Sequence, residues 1–224
     1  MSSSNQDTIV LIRPTGIMPP HLVLHDFLDE DTVAGLLDYA LSHQAEFAPA
    51  RLRSKKIDPS FRRSTSLREL GRYRDILEKK ILAIVPGVAA GLQVTPVKAP
   101  DLEIELVAHG DGAFYKRHID TGTGSYEHAS HVRVLSGVYY FYAAPKAFTG
   151  GALRLHAIGG DRNENFFVDI EPVRNSLLIF PSWAPHEVMP VSCPSRRFID
   201  SRFAINCWVR CDKSEMDPQE EVRR

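Results

Sequence analysis

Cysteine is scarce in these 224 residues, and the three present, Cys193, Cys207 and Cys211, are odd in number and form neither a C-x-x-C pair nor a secretory spacing. A disulfide-stapled scaffold is thereby excluded, and reduced thiols are expected. Also lacking is any uninterrupted apolar run near the roughly 20 residues that a membrane helix needs. The polar start, residues 1–7, does not have the basic-then-apolar order of a secretory signal. A cytoplasmic location with no membrane partner is the expectation. Neither sign of charge is in excess, with 27 Lys and Arg against 28 Asp and Glu, so no global field draws the chain to nucleic acid, which is not expected as a partner. Internal repeats and low-complexity tracts are absent as well.

What is present is a 43% apolar chain, long enough for one well-buried core and short for two. A single domain, 1–224, is expected, with mostly helical support over 1–100, a catalytic core over 101–211 and a tail over 212–224. A strand-like entry at 8–13 precedes a helix over 30–43, where Val33, Leu36, Leu37, Ala40 and Leu41 recur at helical spacing. Residues 48–66, rich in Arg, Lys, Ser and Pro without periodicity, read as a long exposed loop. Helical spacing resumes over 67–85. From residue 101 the pattern changes to eight short strand-like runs: 102–108, 114–120, 133–142, 152–157, 166–170, 176–180, 186–190 and 202–210. Eight such runs predict a mainly β fold with supporting helices, in two facing sheets.

His118-Ile119-Asp120 sets a nitrogen and an oxygen ligand two positions apart, on one face of a strand. His186 heads another run 68 residues later. Two histidines and one carboxylate on neighbouring strands form a facial triad with open positions for oxygen chemistry on iron(II). The same set also suits a catalytic zinc hydrolase or a non-enzymatic metal-binding protein. The run from Arg202 to Trp208 alternates, with Phe203, Ile205 and Cys207 on one face and Arg202, Ala204, Asn206 and Trp208 on the other. An arginine opening a core strand requires a partner, and a bound dicarboxylate would supply one.

Six ordered blocks carry a family resemblance: Gly110 through Asp120, Gly137-Val138-Tyr139-Tyr140-Phe141, Gly150 through Leu155, Asp169-Ile170-Glu171-Pro172, Pro185-His186-Glu187-Val188 and Arg202-Phe203-Ala204-Ile205. Through them the chain resembles the prolyl 4-hydroxylase-like branch of the iron(II)/2-oxoglutarate dioxygenases. The resemblance implies a double-stranded β-helix, the cupin-like jelly roll. It implies iron(II) on His118, Asp120 and His186, and 2-oxoglutarate as cosubstrate with its distal carboxylate on Arg202. Tyr140 would present a hydroxyl to the cosubstrate, and ascorbate is a candidate reductant. Asp120 argues against halogenating relatives, which carry Gly or Ala there. By the same resemblance Arg133 and Trp208 line the substrate side.

This sequence departs from the family in two ways. Ala108 stands ten positions before His118, where relatives often carry a cosubstrate-binding tyrosine. Arg202 lies farther from His186 than the usual nine or ten residues, which leaves Arg196 as the alternative anchor. The expected reaction is hydroxylation of an unactivated C–H bond, on a prolyl residue of a peptide or protein, or on a free amino acid or other small metabolite. The basic stretch 51–63 could lid an acidic substrate. His128 and His131 read as surface or substrate-contacting groups, and oligomeric state is not legible.

Overall fold

In the computed structural model, which describes residues 17–52, 54, 56–95, 99–122, 131–159 and 166–212, alternating apolar residues sort the chain into layers. In chain order the elements are β1 (Leu22–His25), α1 (Glu30–Ser42), β2 (Ala48–Pro49), β3 (Arg62–Arg63), β4 (Thr65–Leu67), α2 (Tyr73–Gly91), β5 (Asp101–His109) and β6 (Phe114–His118). They continue as β7 (His131–Phe141), β8 (Thr149–Gly150), β9 (Leu153–His156), β10 (Phe167–Ile170), β11 (Ser176–Pro181), β12 (His186–Val188), β13 (Val191–Ser192) and β14 (Arg202–Asp212). A major sheet runs β1-β11-β7-β14-β5-β4-β2, a minor sheet β10-β9-β12-β6-β3, and β13 pairs with β8. The pairings are antiparallel, and the two larger sheets face each other without closing, as a jelly roll.

The outer face of the major sheet is covered by the helices. Phe203, Ile205, Cys207 and Val209 of β14 and Ile104 and Leu106 of β5 share one apolar core with Val33, Leu36 and Ala40 of α1 and Leu77, Ile81 and Val85 of α2. Asp29 caps α1, its carboxylate accepting from the Thr32 amide (2.8 Å) and hydroxyl (2.8 Å). The stripe of α2 continues through Val88 and Ala89, so packing carries the helix past Pro86, beyond the expected end at 85. Its start is later than 67 because Leu67 belongs to β4 and a turn at Gly71 intervenes. A second apolar core between the sheets joins Tyr140, Leu178, Phe180 and Ala204 to Leu153 and Leu155.

Each of the eight expected runs overlaps one observed strand. The stretch 48–66, expected as exposed loop, instead supplies β2, β3 and the start of β4, which extend both sheets. Arg62 within it is buried, because Glu105 on β5 stands within salt-bridge reach. The strand expected at 8–13 and residues 213–224 of the tail lie outside the described residues.

Candidate active site and metal centre

His118 ends β6 and His186 begins β12, and the two are direct cross-strand partners, with ring centroids 4.2 Å apart. Each donates its Nδ1–H to a backbone carbonyl two residues back, His118 to Lys116 at 2.8 Å and His186 to Ala184 at 2.9 Å. That bond fixes the tautomer and turns each Nε2 lone pair into the site. Asp120 lies just past the end of β6, where its amide and that of Thr121 donate to the Ser182 carbonyl. Its Oδ1 is 3.8 Å from His118 Nε2, and its Oδ2 is 3.5 Å from His186 Nε2. Ser136 donates to Asp120 Oδ2 at 2.7 Å and lies 2.9 Å from the Ser182 hydroxyl. The three ligand atoms lie within 4.8 Å of one another, spacing that one cation can bridge.

The electrostatics keep both ligand types ready for a metal. Burial, then the neighbouring His186, pushes His118 down to about 3, so its imidazole is neutral at physiological pH. Burial works to raise Asp120, but the two histidines, Arg133 and the Ser136 hydroxyl outweigh it and hold the carboxyl down to about 2. Tyr115 stacks on the His118 ring at 3.6 Å, and burial raises its phenol to about 12.

The triad opens into a cavity of about 480 Å³ between the sheets. Its wall on β5 is a ladder of charge pairs. Arg210 forks onto Asp101 (2.9 and 2.6 Å), Arg133 forks onto Glu103 (3.0 and 2.6 Å), and Arg62 meets Glu105 at 3.2 Å. Arg202 breaks the series. It is fully buried, it has no carboxylate within salt-bridge distance among the described residues, and its Nε and Nη2 have no hydrogen-bond partner. Its one well-formed side-chain hydrogen bond runs from Nη1 to His109 Nδ1, at 3.2 Å, and the Tyr140 hydroxyl also lies close to the guanidinium. Beside it the buried Tyr140 hydroxyl is also unpartnered, with the guanidinium carbon 4.8 Å from the ring centroid. Unpaired charge and donors at this depth cost several kcal/mol unless a ligand satisfies them.

Among the residues expected from sequence, His118, Asp120, His186, Arg133, Arg202 and Trp208 line this one cavity, and Tyr140 abuts it through Arg202. Arg133 stacks 3.8 Å over Trp208, with its Nη1 3.9 Å from Asp120 Oδ1. Arg196 is elsewhere: its side chain is 81% exposed and pairs with Asp111. His131 reaches the cavity rim; His128 lies outside the described residues. Sequence reasoning missed Arg62, Tyr115, Ser136 and His109. For His109 a signal was available, since Glu103, Glu105 and His109 alternate on one face of β5.

Residues 104–210 match the model of the 2OG-Fe(II) oxygenase superfamily. Over these 107 residues, just under half of its length, the chain is similar to that superfamily. An uncharacterized PKHD-type hydroxylase from Synechocystis is 33% identical over 193 residues, 84% of this chain, and the chain spans 62% of that relative's length. Among solved structures, a prolyl-4-hydroxylase from Pseudomonas putida is 24% identical, with a TM-score of 0.58 over 86% of this chain and 93% of that one. A prolyl hydroxylase from Trichoplax adhaerens, in complex with a hypoxia inducible factor peptide fragment, is 23% identical, with a TM-score of 0.61 over 87% and 84%. These neighbours share the jelly-roll fold. The superfamily takes iron(II) and 2-oxoglutarate, and the residues here fit both: a His–Asp–His set with Nε2 lone pairs turned inward, and unpartnered buried donors on Arg202 and Tyr140. Among the described residues, no helix is long and apolar enough to cross a membrane.

Proposed function

We propose that the chain is a 2-oxoglutarate-dependent dioxygenase that hydroxylates an unactivated C–H bond, with His118, Asp120 and His186 holding the metal and Arg202 and Tyr140 receiving the cosubstrate. The observation that carries this reading is the fully buried Arg202, with two unpartnered nitrogens, in the cavity that holds the triad. A planar guanidinium fork matches a carboxylate bidentately, which favours Arg202 over the exposed and already paired Arg196. Bound iron(II) supplies oxygen activation coupled to oxidative decarboxylation of 2-oxoglutarate to succinate and carbon dioxide. The protein groups do the rest. Ser136 orients Asp120, and backbone carbonyls orient both histidines.

For the substrate, a prolyl residue within a peptide or protein is the favoured reading, and a free amino acid or small metabolite the alternative. Arg133 aims inward, as a receptor for a metabolite carboxylate would, but its fork is filled by Glu103 and its face by Trp208. The Arg62 and Arg210 guanidiniums are engaged by Glu105 and Asp101 in the same way. A neutral residue embedded in a chain suits this wall better than a free amino acid. The test is anaerobic titration with iron(II) and 2-oxoglutarate, followed by aerobic assay of succinate formed with prolyl peptides and with free proline. A visible charge-transfer band, and succinate coupled to peptide but not to proline, is expected. A metal-loaded protein that gives no band would remove the oxygenase reading and leave a zinc hydrolase or binding protein.

A further inference from the structure

We propose that His109 is a cosubstrate-binding residue, donating its Nε2–H to the carboxylate held by Arg202. The inference rests on the oxygenase reading above and goes beyond it, to a residue that neither the triad nor the arginine requires. A guanidinium is charged at every physiological pH and can only donate. The 3.2 Å contact from Arg202 Nη1 therefore requires a lone pair on His109 Nδ1, which makes the imidazole neutral and places its proton on Nε2. Burial, and then the Arg202 charge, favour the same neutral state and outweigh the Arg202 backbone, which favours the charged one. His109 is 2% exposed and lines the cavity, so a ligand bound there can accept from Nε2.

Strand geometry explains why this residue and not its neighbour has the role. His109 is the cross-strand partner of Arg202, on the cavity face of β5, whereas Ala108 packs in the helix-side core. An ionised carboxylate offers about four lone-pair sites. Arg202 Nε and Nη2 and the Tyr140 hydroxyl are three donors without a hydrogen-bond partner, and His109 Nε2 would be the fourth. One imidazole thus has two functions: its Nδ1 holds the guanidinium, and its Nε2 faces the ligand.

Two variants separate these functions. In His109→Asn the amide oxygen can still accept from Arg202, but the distal donor is gone. In His109→Gln an amide NH2 reaches the position of Nε2. Anaerobic calorimetry with iron(II) and 2-oxoglutarate is expected to give about 10- to 100-fold weaker cosubstrate binding for His109→Asn, the effect of one hydrogen bond to a charged group. Metal affinity should be unchanged, and His109→Gln should recover to within a few-fold of wild type. Nitrogen NMR of the wild-type protein with His109 labelled should show a protonated Nε2 and a bare Nδ1, and decides the matter even where a variant does not fold. Wild-type affinity in His109→Asn, or a protonated Nδ1, overturns the inference and leaves the oxygenase reading intact. Failure of the wild type to bind 2-oxoglutarate overturns both.

Discussion

Substituting Gly151 by alanine tests the anchor without removing any polar group. Gly151 has φ +73°, and a Cβ built there would stand 2.6 Å from Arg202 Cδ, 3.1 Å from Arg202 Nε and 2.9 Å from Val191 Cγ2. The left-handed backbone costs a non-glycine residue roughly 1–2 kcal/mol, and forcing a methyl into a filled site about 1–3 kcal/mol. The sum, about 2–5 kcal/mol, corresponds to a Tm drop on the order of 5–15 °C in a chain of this size. Since the nearest atoms are on the arginine stem, relief comes by moving the guanidinium. Loss of one of its charged hydrogen bonds then weakens 2-oxoglutarate by about 10- to 100-fold. Iron(II) affinity should not move, because none of the three atoms nearest that Cβ belongs to a triad residue. The assays are a thermal melt and an anaerobic titration, with Gly87→Ala as the control. Gly87 lies inside α2, a Cβ there meets nothing within 4 Å, and alanine should stabilise by up to about 1 kcal/mol. Wild-type Tm and wild-type cosubstrate affinity in Gly151→Ala would falsify the placement of Arg202.

Three other outcomes are expected. Arg202→Ala should abolish measurable 2-oxoglutarate binding while Arg196→Ala stays within about two-fold of wild type, by the same titration; the reverse order would move the anchor to the exposed loop. Ser136→Ala should cost about 10- to 100-fold in iron(II) affinity, as loss of a ligand-orienting hydrogen bond typically does, read by competition with a chelator. The metal-free protein should lose stability in acid. His109 and His118 are both held below an unfolded value of about 6.5, so the unfolded chain binds protons that the folded chain does not. Their contribution is complete above about pH 6.5 and falls below it, with a limiting slope of about 1.4 kcal/mol per pH unit for each histidine. Urea unfolding at pH 7.5 and 5.5 measures this, and a profile unchanged by His109→Gln would refute it.

Where one face of a strand is apolar, the sequence was readable. The alternation of β14 assigned Phe203, Ile205 and Cys207 to one side and Arg202, Ala204, Asn206 and Trp208 to the other, and the structure puts the first set against the helices and the second toward the minor sheet. The His118 and Asp120 pair could be read from spacing, although Asp120 lies past the strand end and is aimed by Ser136 and Ser182. What could not be read depends on partners distant in sequence. Arg62 looked like one more solvated cation in a basic stretch, and its burial depends on Glu105, 43 residues away, and on the Tyr115 ring 5.0 Å from its guanidinium. The start of α2 was misjudged because Leu67 and Leu70 are apolar for reasons unrelated to a helix: Leu67 extends a sheet edge, and both fill the core beneath the helices.

The direct pairing of His118 with His186 has a consequence for motion. β12 is three residues long, at the centre of the minor sheet, and β6 and β12 join parts of the chain 68 residues apart. An ion bound to both imidazoles becomes a cross-link closing that loop, so the two strands can separate only when it dissociates. Amide hydrogen exchange in β6 and β12 should then slow together on metal loading and share one opening rate, while α1, on the far side of the major sheet, keeps its own.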